Sequence, residues 1–434
     1  ALKTGAEEPP LAWVLPSTNR DPFAVSRLVD SLIKGGVEVH VAESEVSADG
    51  RTWPAGSIVI LRGQPYGAHV KDLFEVQRYP EGKSPYDVAG WTLPLLLGVH
   101  RVELMTLPEG ELREVETAKD AIAGFQGDPR ATGLTTTTRS SGNWPEIFQL
   151  VVQPQLDFYF VTEGERAGLV VSDTLEDEAV VKLSSGTRVG LYSPWRGSMD
   201  EGWMRYVFDT FEVEYLTVRN EMLRAGAIGE FLNVLVIPSL SGNQLDDGRS
   251  PGSVAPRYTR GLDPEGAVAI EEFVREGGTL ITVGSSSQWA IDLFELPLID
   301  VTRENEGKEN GVAGPGSLLR AIPEKAPITA DLPASLTRFV SRSSAWREMT
   351  TEEREAARRP EAQLTTLLRY APTRLLLSGY CRSPETITGR AAWIQAAHGD
   401  GQVHLFAFRP QYRGWSQATF PLLFRAILFA GNQH

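Results

Sequence analysis

The stretch from Asp263 to Ala290 leaves this chain few folds to choose from. Pro264–Glu276 reads as an amphipathic helix, with Asp263 as N-cap, proline in the first turn and Gly277-Gly278 as its stop. Its apolar face is Ile270, Phe273 and Val274. Thr279–Val283 follows as a short, largely apolar strand of the kind buried under helices on both faces. Gly284-Ser285-Ser286-Ser287 then turns sharply into a helix read from Gln288. Helix, buried strand, tight turn and helix together make the repeating unit of a parallel α/β sheet.

The same rhythm runs from Thr187 to the end. Strand Arg188–Tyr192 leads into helix Asp200–Phe211, whose Trp203, Val207 and Phe211 are spaced by four, and strand Asn233–Pro238 follows. A hairpin, Ala391–Ala397 and Gln402–Phe408 joined through Gly399-Asp400-Gly401, precedes a helix over Thr419–Phe429. Near the start, strand Leu11–Leu15, a helix opening at Asp21-Pro22 and closing at Gly35-Gly36, and strands Val37–Val41 and Ser57–Leu61 read as a βαβ beginning. A parallel sheet is expected there too. Between the two lies a Thr-, Ser- and Gly-rich run at 131–143, then strand-like runs at 148–153, 157–162, 168–172 and 179–183.

The expected architecture is therefore a smaller N-terminal α/β domain (1–125), a β-rich connector (126–186) and a three-layer parallel-sheet α/β domain (187–434). The formal net charge of −14 argues against nucleic acid as a partner, whose phosphates demand clustered Lys and Arg. Arg354–Arg359 lies in a Glu-rich helix and reads as a solvated face. The single cysteine, Cys381, excludes an intrachain disulfide and a multi-cysteine zinc site. No apolar run is long enough to span a membrane. Neither a phosphate loop nor a dinucleotide fingerprint is present.

GGTLITVGSSS (277–287) resembles the nucleophile-elbow region of class I glutamine amidotransferase-like domains. The resemblance implies a cysteine at the elbow, with a histidine and a glutamate in a Phe-His-Pro-Glu stretch after a late strand. Here the elbow offers Gly284 or Ser285, and Phe408-Arg409-Pro410-Gln411 puts Arg409 in place of the base and Gln411 in place of its partner. Arginine has no accessible neutral form with which to take a proton, and glutamine carries no charge to orient an imidazolium. The amidotransferase chemistry is expected to be lost. A serine hydrolase would need a base beside Ser285, Ser286 or Ser287; His404 is the best placed, but it lies mid-strand.

Longer blocks widen the resemblance: PYDVAGWTLPLLLGV (85–99), GLYSPWRGSMDEGWMRYVFD (190–209), PGSLL (315–319), RYAPTRLLLSGY (369–380) and HLFAFRPQYRGWSQATFPLLFRAIL (404–428). Together they resemble the region after the catalytic domain in large bacterial zinc carboxypeptidase-like proteins of the carboxypeptidase A type. That implies an exported protein, extracellular or periplasmic, whose zinc belongs to a preceding peptidase domain that this chain is expected to lack. His40-Val-Ala-Glu43 has the His-x-x-Glu spacing, but residues three apart on a strand face opposite ways. His69-Val-Lys-Asp72 lacks a third ligand, so no metal is expected in this chain.

The candidate ligand-binding residues share the carboxyl edge of the sheet: Trp195, Arg196, Asp200, Glu201 and Trp203 after one strand, Ser285 and Ser286 at the turn, and Arg409 and Gln411 after the late strand. The functional reading is a pocket for a peptide, carboxylate or sugar fragment, in which Arg196 and Arg409 would clamp an anion between tryptophan walls. The competing reading is purely structural, with the acids favouring a helix N-terminus and Arg409 bracing the rim through a carboxylate. The expected function is a non-catalytic accessory region that binds a peptide or small anion, stabilises its own peptidase domain or assembles with copies of itself. The alternative is a hydrolase working from 193–201, 285–287 and 409–411.

Overall fold

The computed structural model describes residues 5, 7–80, 84–86, 88–125, 162–163, 166–167, 187–211, 213–303, 311–330, 332–341 and 343–430. The 126–186 connector falls outside them except for one short ladder, Thr162–Glu163 with Arg166–Ala167.

The N-terminal sheet departs from the parallel arrangement expected. Its order is β4-β1-β3-β2-β5, from β1 (Ala12–Leu15), β2 (Val39–Ala42), β3 (Ile58–Leu61), β4 (Val102–Leu104) and β5 (Leu112–Val115), and every neighbouring pair is antiparallel. The crossover helix α1 (Pro22–Lys34) does bring β1 and β2 into the same direction. It leaves a gap one strand wide, and β3 fills that gap running the other way. The local βαβ unit is present, but the strand between its two arms comes from further along the chain. Asp21 caps α1 by accepting the Ala24 N–H at 3.0 Å, as the Asp-Pro start suggests.

From Val189 on, the expected α/β class is present. Strands β6 (Val189–Tyr192), β7 (Leu216–Val218), β8 (Val234–Ile237), β9 (Thr279–Val283) and β14 (Gly401–Phe406) form a parallel block in the order β7-β6-β8-β9-β14. An antiparallel extension continues through β13 (Ala391–His398), β12 (Leu364–Tyr370), β10 (Ser317–Pro323) and β11 (Leu336–Val340). Side chains alternate between two cores. Val234, Val236, Ile281 and Val283 pack with helix α2 (Met199–Thr210) and the C-terminal helix α5 (Phe420–Ala430). Leu235, Ile237 and Leu280 pack with α3 (Asp263–Arg275) and α4 (Ser285–Leu293) on the other face. Both faces are thus buried, which is why these strands carry few polar residues.

Three local expectations shift. Helix α2 starts at Met199, capped by the Ser198 hydroxyl accepting the Glu201 N–H at 3.2 Å. Asp263 opens α3 with φ 53°, and its carboxylate pairs with Arg260 at 2.7 Å instead of capping. Helix α4 begins at Ser285, not Gln288, because the positive φ of Gly284 completes the whole change of direction in one residue.

Residues 75–80 and 88–99 tie the two sheets together. The buried Ser378 hydroxyl donates to Gln77 Oε1 at 2.7 Å, accepts the Gln77 N–H at 3.0 Å and lies 2.9 Å from Thr92 Oγ1. Gly90 N–H donates to Gly316 O at 2.8 Å. Gly316 has φ 55°, and a Cβ there would sit 2.6 Å from Val88 Cα. Phe23 of α1 meets Phe211 edge-on at 5.8 Å.

Candidate functional site

The site is built on the central strand. Val283 ends β9, and Gly284 adopts φ 59°, ψ −124°, a conformation open to glycine and strained for other residues. Its N–H donates to Phe406 O at 2.9 Å and to Phe408 O at 3.1 Å, which fixes the bend against β14. A Cβ at Gly284 would stand 2.6 Å from Ser239 Oγ and 3.2 Å from Arg409 Cγ. The strained residue of a strand-to-helix elbow is where a nucleophile belongs. Here that residue has no side chain, and the space one would need is filled. Of the two positions the sequence leaves open, the elbow is Gly284.

The three serines separate by burial. Ser285 is exposed, and its N–H donates to Ser239 Oγ at 3.1 Å. Ser286 is fully buried; its hydroxyl bonds Pro238 O and accepts the Leu240 N–H at 2.9 Å. Ser287, equally buried, donates to Phe406 O at 2.9 Å. These two pin α4 to strands β8 and β14, and Ser286 faces no ligand space.

No histidine lines this edge among the described residues. His404 is fully buried in mid-ladder, opposite Ile281 and Gln395. Its Nδ1 accepts the Trp393 indole N–H at 3.3 Å, and burial pushes the imidazole down to about 3, so the ring is neutral at pH 7. Cys381 lies elsewhere, and burial pushes its thiol up to about 11, far from the thiolate range. Glu43 pairs with Arg113 at 2.9 Å, and the described residues contain no cluster of three or more metal-ligating side chains.

Arg409 is held from three sides. It pairs with Asp200 at 3.3 Å, donates to Ser341 O at 3.0 Å and lies over the Tyr412 ring at 4.4 Å. Burial raises the Asp200 carboxyl above its ordinary range, and Arg409 pulls against that shift. Breaking such a largely buried pair from one side costs about 3 kcal/mol. Arg409 thus braces the rim through a carboxylate.

A cavity of about 810 Å³ opens beside the elbow. Ser285 and Arg409 line it with Trp203, Tyr412, Arg413 and Arg303. Met199 and the N-terminal Tyr86, both exposed, line it too. Thr302, Ser341, Ser343 and Ser344 line it as well. Asp300, also on the wall, is occupied: its Oδ1 accepts from Thr302 N and Oγ1 and from Ala345 N, at 3.0, 2.7 and 3.2 Å.

The remaining candidates point away. Trp195 donates to Glu221 at 2.6 Å and packs on Tyr258 and under Arg219. Glu201 pairs with Arg205. Arg196 is exposed and lines no part of the cavity, so the Arg196–Arg409 clamp is not formed. Gln411 is fully buried and lies off the wall, with no hydrogen-bond partner for its amide among the described residues. Ser239, Asp300, Thr302, Arg303, Ser341, Ser343, Ser344 and Arg413 join the site without having been expected from the sequence. Ser239 has a signal there, since it directly follows Ile237-Pro238 at the end of a strand parallel to β9.

No family model matches the chain, and no curated protein does. Similar solved structures include a protein described as ThuA-like from Bacteroides uniformis (12% identity, 55% of this chain and 89% of that one, TM-score 0.33). A Thermoplasma acidophilum protein described as a GMP synthase component is 9% identical over 56% of this chain and 94% of that one, TM-score 0.34. A cytoplasmic protein from Salmonella typhimurium is likewise 9% identical over 56% of this chain and 98% of that one, TM-score 0.34.

Proposed function

We propose that this chain is a non-catalytic accessory region of an exported zinc carboxypeptidase-like protein, with an amidotransferase-like unit whose reactive groups have been replaced. The carboxypeptidase part of this reading rests on the sequence blocks, chiefly 190–209 and 404–428. The loss of chemistry rests on one observation: the elbow residue is Gly284, and Ser239 and Arg409 crowd the place of its missing side chain. A nucleophile also needs a base in reach, and Arg409, tied to Asp200, cannot serve as one. What survives is a preformed cavity at the carboxyl edge, suited to binding and not to turnover. On this reading the zinc and the peptide cleavage belong to a separate peptidase domain.

The test is an assay of the purified chain with peptide and ester substrates, with and without added zinc. Inertness under all conditions is the expected result. Turnover that survives a chelator and is lost in Ser285→Ala would overturn the proposal in favour of a hydrolase at this rim.

A further inference from the structure

We draw no further inference here: the strongest candidate, the apolar patch of Leu216 and Phe231 exposed along the groove beside β7, the edge strand of the larger sheet among the described residues, carries nothing because nothing in the structure shows what covers it.

Discussion

At the residue scale, His404 shows how one buried ring shapes the response to pH. Trp393 donates to Nδ1, so the ring proton sits on Nε2, and protonating Nδ1 would break that bond inside the core. The folded imidazole is held at about 3 against an ordinary 6.5. A depressed pKa means that the unfolded chain takes up the proton first. The contribution to stability is therefore complete above pH 6.5 and is lost as pH falls towards about 3. Across that window His404 should remove about 1.4 kcal/mol of stability per pH unit. His404→Leu should flatten this part of the curve of unfolding free energy against pH, measured by urea denaturation; an unchanged slope would refute the assignment. Residue type alone makes His404 a candidate base. Its mid-strand position already argues that the ring faces a sheet face, and the structure puts that face in the core.

At the scale of the element, the bend between β9 and α4 concentrates its geometry in Gly284. Gly284→Ala combines a strained backbone with a Cβ pressed on Ser239, and should cost about 2–4 kcal/mol. Adding Ser239→Gly should recover the steric part and leave the backbone part, a split that denaturant melts of the single and double variants would show. The strand, the turn and both flanking helices are legible in residues 263–290, because apolar runs and glycines report local geometry directly. Ser286 and Ser287 cannot be separated from Ser285 in this way. Their roles depend on which neighbouring carbonyls the parallel strands bring alongside. The antiparallel N-terminal sheet escapes for the same reason: β1, α1 and β2 specify their own crossover but not the strand that slips between them.

At the scale of the whole molecule, the seam around Gln77, Thr92 and Ser378 joins segments some three hundred residues apart in sequence, and no local pattern announces it. Ser378→Ala removes only the hydroxyl, which strands the Gln77 N–H in a buried place while Gln77 Oε1 keeps the Trp91 N–H as a donor at 3.1 Å. A loss of about 1–3 kcal/mol is expected. With the seam intact, tryptophan fluorescence and far-ultraviolet circular dichroism should report one coincident unfolding transition. Two separated transitions in the unmodified protein would show that the sheets melt independently.

The cavity has a consequence for how its occupant would behave. Ser84, Tyr86 and Val88 of its lining come from the N-terminal segment, while its other lining residues come from the larger unit that follows Val189. A molecule lodged there touches both pieces at once, like a pin through a clasp. Pulling the pieces apart would open the hollow and evict it, and by reciprocity its presence should slow proteolysis of the chain on either side of the seam.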